Sequence, residues 1–178
     1  CVQAGACAPE SASVGGLSTR GRTDDRPINS ITWQGARSLC AYLGGRLPTE
    51  AQWEYAARGS DGRIYPWGAK PPCTQGGELE LCGRVGVAAV SDVNNVGPFS
   101  THALGGNVWE WTADTFNAYP GFVVDPYQEY SEPSFGSKKV LRGGSWATRS
   151  LLIRNTWRNF YLPFRNNIYA GFRTCAVR

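Results

Sequence analysis

The sequence is 178 residues long, with 22 Gly, 11 Pro, 7 Trp, 8 Tyr and 7 Phe and a formal net charge of +4. That length suits one domain with a real hydrophobic core and would cramp two, while the abundance of Gly and Pro points to turns and loops rather than a helical bundle. The 18 Lys and Arg are dispersed, with no run longer than Lys138-Lys139, which argues against a nucleic-acid footprint, and no apolar run is long enough for a transmembrane helix.

Residues 1–31 read as irregular, with a turn at Asp24-Asp25-Arg26-Pro27. A helix is predicted from about Trp33 to Leu43, because Ala36, Leu39, Cys40 and Leu43 recur on one helical face; Gly44-Gly45 ends it. A second helix is predicted within Leu47–Gly59. Thr49 and Gln52 have the spacing of a capping box, Glu50 and Arg58 complement the macrodipole, and Trp53, Ala56 and Ala57 form the inward stripe. From Ser60 to Gly106 turn signals dominate, and a stretch that long without regular structure is usually functional or cross-linked. Short strands are predicted at Val108–Thr112, Lys139–Gly143 and Gly171–Val177.

Six cysteines are present. An even count in a loop-rich chain favours disulfides and an oxidising, extracytoplasmic setting, whether periplasmic, cell-surface or secreted. The spacings suit local bridges Cys1–Cys7 and Cys73–Cys82, leaving Cys40 and Cys175 to pair across the domain. Other connectivities, and free thiols, remain open. With no C-x-x-C and one histidine, His102, a structural zinc site is disfavoured. A secretory leader pattern is missing, and the opening at Cys1 fits a processed or truncated product.

Four segments together carry a resemblance: Arg46–Gly59 (RLPTEAQWEYAARG), Gly106–Thr112 (GNVWEWT), Val140–Trp146 (VLRGGSW) and Gly171-Phe172-Arg173. In this order they resemble the formylglycine-generating enzyme, or sulfatase-modifying factor, family, over nearly the whole chain. The resemblance implies a single α+β domain of C-type-lectin-like fold, spanning 1–178, loop-rich, with two helices and short antiparallel strands. The opening Cys1–Cys7 stretch also looks like bacterial members, which usually carry another strand before it, one that this chain would lack.

The fold hosts several functions. Formylglycine-generating members use a copper-binding cysteine pair just after the Gly-Gly-Ser motif. Thr148 and Ile153 occupy those positions here, and neither supplies the sulfur that Cu(I) needs, so no copper and no formylglycine chemistry are expected. A second branch, the iron-dependent sulfoxide synthases of ergothioneine type, is similar to the stretch from Tyr119 to Phe160, but holds iron with three histidines supplied largely by a separate helical domain. A third branch uses the scaffold for binding alone. Here the window before Gly171 holds Trp157, Asn159, Phe160, Tyr161, Phe164, Asn166, Asn167 and Tyr169, with Trp146 beside it; Asn among aromatics suits a paratope, and core packing is the alternative for each aromatic. The resemblance also implies a structural Ca²⁺ at Asn107, Val108 and Glu110, against the alternative of a buried Asn turn with Glu110 paired to Arg142 or Arg173.

The expectation is therefore a disulfide-stapled, noncatalytic binding or interaction module, taking a protein or small-molecule ligand on its C-terminal surface, with calcium, without nucleic acid, and as a potential subunit of a larger assembly. The alternative is the C-terminal domain of an iron-dependent sulfoxide synthase.

Overall fold

The computed structural model describes residues 1–7, 19, 24–73, 83, 85–124, 126–127, 129 and 134–176. Helix α1 runs over Trp33–Tyr42, where the Thr32 hydroxyl accepts from the Gly35 N–H at 3.0 Å and so satisfies one of the open donors of the first turn. Its buried face is narrower than the sequence pattern suggests: Ala36 and Cys40 are fully buried, but Leu43 lies past the helix and is 63% exposed. Gly44 takes a positive φ of 75°, which suits glycine at a helix end. Gly45 is more than a stop signal, because it opens strand β1, Gly45–Arg46.

Helix α2, Glu50–Arg58, forms as its sequence predicts. Thr49 Oγ1 accepts from the Gln52 N–H at 3.1 Å, and Gln52 Oε1 accepts from the Thr49 N–H at 3.0 Å. The Asp114 carboxylate adds a third cap, accepting the Glu50 N–H at 2.6 Å, and Gly59 closes the helix with φ 62°. Trp53 and Ala57 face inward and are buried.

Strands β2 (Trp109–Thr115), β3 (Lys139–Arg142), β4 (Asn159–Tyr161) and β5 (Ala170–Gly171) make a mixed sheet in the order β4-β3-β2-β5, with β5 parallel to β2 and the other pairs antiparallel. Glu110 lies opposite Arg142, and Trp111 opposite Leu141. Strand β6 (Cys175–Ala176) leaves this sheet and pairs with β1, placing Cys175 opposite Arg46. The single terminal strand expected from Gly171 is thus divided between two sheets, and Val177 lies outside the described residues. Gly171 passes directly beside residue 28, since a Cβ there would stand 2.2 Å from the Ile28 carbonyl oxygen. The alternation of side chains through 171–177 carries no sign of this crossing.

The main core sets Trp109, Trp111, Leu141 and Ala170 of the sheet against Ala36 and Cys40 of α1, with Ile31, Leu47 and Ile168. Two indole donors at this core find backbone partners: Trp111 Nε1 donates to Ile31 O at 2.9 Å, and the half-buried Trp33 Nε1 to Thr112 O at 2.7 Å. Cys1 and Cys7 are bonded as expected. Cys73 is disulfide-bonded, and Cys82 lies outside the described residues. The Cys40–Cys175 bridge expected from spacing is not formed; both are free thiols. One thiol is enclosed in the α1 core and the other lies on the neighbouring β6 edge, a placement that spacing alone does not specify.

Candidate functional site

The Gly-Asn-Val-Trp-Glu turn delivers its polar groups inward. Asn107, at φ 62°, is 4% exposed. Its Oδ1 accepts from the Ala88 N–H at 2.9 Å and its Nδ2 donates to Ala88 O at 3.1 Å, so the side chain pairs with the loop as a strand would. Its own carbonyl accepts from the Trp146 N–H at 2.9 Å. Three residues on, in strand β2, Glu110 Oε2 accepts from Trp53 Nε1 at 2.6 Å and from Arg173 Nε, and Oε1 accepts from Arg173 Nη2 at 2.6 Å. Burial works against the Arg173 charge, but the Glu110 carboxylate more than offsets it and raises the proton affinity of the guanidinium.

These contacts bear on the calcium expected at Asn107, Val108 and Glu110. Calcium takes six to eight oxygens, several of them anionic. Here the Asn107 side-chain oxygen and backbone carbonyl are each engaged, both Glu110 oxygens are bonded to an arginine, and Val108 is buried. The three residues in this arrangement do not fit a calcium site. They fit the other reading, a buried Asn turn with a Glu110–Arg173 ion pair.

A second polar centre lies at the N-terminus of α2, and the sequence reading did not single it out. Arg142, wholly buried on β3, donates to Glu50 Oε1 at 3.0 Å, to Glu54 Oε2 at 2.6 Å and to the Asn155 carbonyl. Arg158 grips Glu50 through Nε at 2.6 Å and Nη2 at 2.9 Å, and lies between the rings of Phe116 and Tyr119. Burial, followed by the Glu50 charge, raises the Tyr119 phenol above its usual range. Glu50, Glu54 and Tyr119, with Tyr55, Arg58 and Asp114, line an open cleft of about 670 Å³. The signal available in the sequence is Arg142 itself: two residues after Val140, on the same face of a buried strand, a charge needs carboxylate partners.

The proposed ligand window does not form one uniform surface. Strand alternation turns Phe160 toward Phe116, with ring centroids 4.1 Å apart, while Tyr161 packs against the main core. Asn159 Oδ1 accepts from the Phe160 N–H, and Asn167 Oδ1 from Arg165 Nε; Asn166 is half-buried. Trp157 and Phe164 are the exposed aromatics, at 42% and 67%. Trp146 and Tyr169 come together at 4.8 Å between centroids, and the Trp146 indole N–H is buried with no protein acceptor among the described residues. Thr148 Oγ1 lies 3.1 Å from Ser145 Oγ, and Ile153 is 3% exposed, so an alcohol and a buried hydrocarbon stand where a cysteine pair was sought. His102, the lone histidine, is exposed in the loop.

Residues 3–177 match the sulfatase-modifying factor enzyme 1-like domain. The chain belongs to this family. Among curated members, hercynine oxygenase of Mycobacterium tuberculosis is 38% identical over 164 residues, covering 84% of this chain and 36% of the oxygenase. Formylglycine-generating enzyme of Thermomonospora curvata is 31% identical over 173 residues, covering 85% of this chain and 56% of that enzyme. Among solved structures, PvdO from Pseudomonas aeruginosa matches with a TM-score of 0.61 at 24% identity, over 84% of this chain and 61% of PvdO, which bears on the fold alone. The chain thus spans little more than a third of the oxygenase it resembles. The similarity to hercynine oxygenase overturns the expectation of a noncatalytic module and the leaning against an enzyme. The cysteine pair bears on one chemistry of the sulfatase-modifying factor family, not on catalysis as such.

Proposed function

We propose that this chain is the sulfatase-modifying-factor-like, C-terminal domain of an iron-dependent sulfoxide synthase of ergothioneine type. The observation that carries this reading is the 38% identity with hercynine oxygenase over 84% of the chain. Donor chemistry supports a division of labour. The chain has one histidine, and among the described residues no three His, Cys, Asp or Glu side chains group to hold a metal ion. These residues do not fit an iron site, so the ligands would come from the part of the protein that this chain does not span. The chain's own contribution would be a substrate-facing wall, with the Trp146–Tyr169 pair and the free indole N–H of Trp146 supplying flat apolar area and one hydrogen-bond donor. Thr148 and Ile153 argue against the copper-dependent formylglycine reaction.

The test is an assay of the full-length protein loaded with iron(II). Given hercynine, a thiol substrate and oxygen, it should form a carbon–sulfur product, and this chain alone should form none. An iron-loaded full-length protein that leaves hercynine untouched, or that instead converts a sulfatase cysteine peptide to formylglycine, would overturn the proposal.

A further inference from the structure

Helix α2 runs out into an exposed turn. Gly59 closes the helix, and Ser60, Asp61 and Gly62 lead to Arg63, whose N–H reaches back to the Arg58 carbonyl at 3.3 Å. Asp61-Gly62 is the only step in the sequence where glycine follows aspartate, and glycine never follows asparagine. The pairing matters because the amide nitrogen of the next residue can attack an aspartyl side chain, and a residue without a Cβ leaves that nitrogen unhindered. The Asp61 side chain is 56% exposed. Gly62 is exposed too, and a Cβ there would meet only Arg58 Nη2, at 3.5 Å. Its carbonyl accepts from Arg58 Nη2 at 3.3 Å, but its N–H donates to no protein group among the described residues. What restrains the pair is Arg63, whose Nε lies 3.1 Å from both Asp61 oxygens and whose Nη2 lies 2.8 Å from Oδ2. These hydrogen bonds hold the Asp61 carboxyl below its usual range. A carboxyl kept ionised has no hydroxyl to lose.

We propose that Asp61-Gly62 is a backbone modification site that converts spontaneously to isoaspartate, and that Arg63 sets the rate by gripping the Asp61 carboxylate. The modification is independent of the reaction the domain serves. The protonated carboxyl is the reactive form. The Gly62 nitrogen bonds to Asp61 Cγ and gives its proton to solvent base, while the carboxyl C–OH bond breaks and the hydroxyl leaves as water. Water then opens the cyclic imide. Attack at Cγ restores aspartate, whereas attack at the Asp61 backbone carbonyl carbon leaves the main chain running through Cγ and longer by a methylene. The water lost in the first step is regained in the second, and nothing is oxidised or reduced. The strain of the longer link falls on Arg63. Its carbonyl accepts from Nδ2 of the buried Asn155 at 3.1 Å, and its Nη1 donates to the Pro66 carbonyl at 3.1 Å. Conversion should therefore lower the thermal midpoint.

The test is to age the intact protein below its thermal midpoint in water enriched in heavy oxygen, then to label it with an isoaspartyl carboxyl methyltransferase and map the peptides. Methyl label and heavy oxygen should accumulate in the peptide spanning Asp61 and Gly62 before any other, and Asp61→Ser should take no label there. Arg63→Gln should convert several-fold faster than wild type. Arg63→Lys, which keeps a charge without the fork, should fall between them. Thr49→Ala, which weakens α2 at its other end and leaves Arg63 in place, should convert at the wild-type rate. That variant separates loss of the grip on Asp61 from a general loosening of the fold. A peptide that stays unlabelled in both wild type and Arg63→Gln overturns the proposal. So do equal rates in those two proteins, or a Thr49→Ala rate that matches Arg63→Gln.

Discussion

Glu110 is 5% exposed, and its charge is tolerable there because Trp53 and Arg173 together supply three donors. A buried carboxylate that loses its cation keeps the cost of desolvation without the compensating attraction. Arg173→Met should therefore lower stability by about 3 kcal/mol, measured as the urea midpoint at constant m-value. Arg173→Lys should recover part of that, since an ammonium replaces the charge but not the two-pronged geometry. A loss near zero for Arg173→Met would mean that solvent screens the pair as it does on a surface. Cys40 adds a pH signature. Its thiol is raised from 9.0 to about 11, chiefly by burial, so the folded state keeps a proton that the unfolded state releases. The contribution is fully present below pH 9.0 and is lost as the pH rises toward about 11. Unfolding curves across that window should fall less steeply for Cys40→Ala than for wild type, and equal slopes would show that Cys40 does not titrate differently on folding.

At the level of elements, what the sequence reveals is what depends on neighbours in the chain. The α2 cap is local: Thr49 and Gln52 stand three residues apart, and the reciprocal hydrogen bonds form as the spacing predicts. Thr49→Ala should cost about 1 kcal/mol in the same denaturation assay. A larger loss would imply that Thr49 supports more than the helix end. The division of the terminal strand was not legible, because it depends on Gly171 meeting the Ile28 carbonyl, a contact between residues far apart in the chain. Gly171→Ala should destabilise by about 3 kcal/mol, in the range of overpacked sites. Glu50 shows the same limit. Its place in the first turn of α2 is readable as a macrodipole charge, but its burial beneath Arg142 and Arg158 is set by β3 and the segment before β4. In the candidate ligand window, the aromatics are visible in the sequence; the opposite directions of Phe160 and Tyr161 are set by β4 pairing at the sheet edge.

Across the whole molecule, the final third of the chain completes structures begun in the first. Arg158 bonds Glu50 across 108 positions, and Asn155 Nδ2 donates to Ala57 O at 3.0 Å and to Arg63 O at 3.1 Å. β4 and β5 form opposite edges of the main sheet, while β6 pairs with β1 beside α1. A chain ending at Thr156 would keep both helices and the β2–β3 pair, but would leave β2 without its parallel partner, β1 unpaired and Glu50 without Arg158. Each loss opens a different face of the same core, so they should act together rather than remove a detachable subdomain. The truncated chain should therefore keep helical far-UV circular dichroism yet lose the near-UV tryptophan signal and the sharp urea transition of residues 1–178. A truncated chain that still unfolds in one sharp transition would show that α1, α2, β2 and β3 fold alone, with residues 157–178 attached as a separable layer.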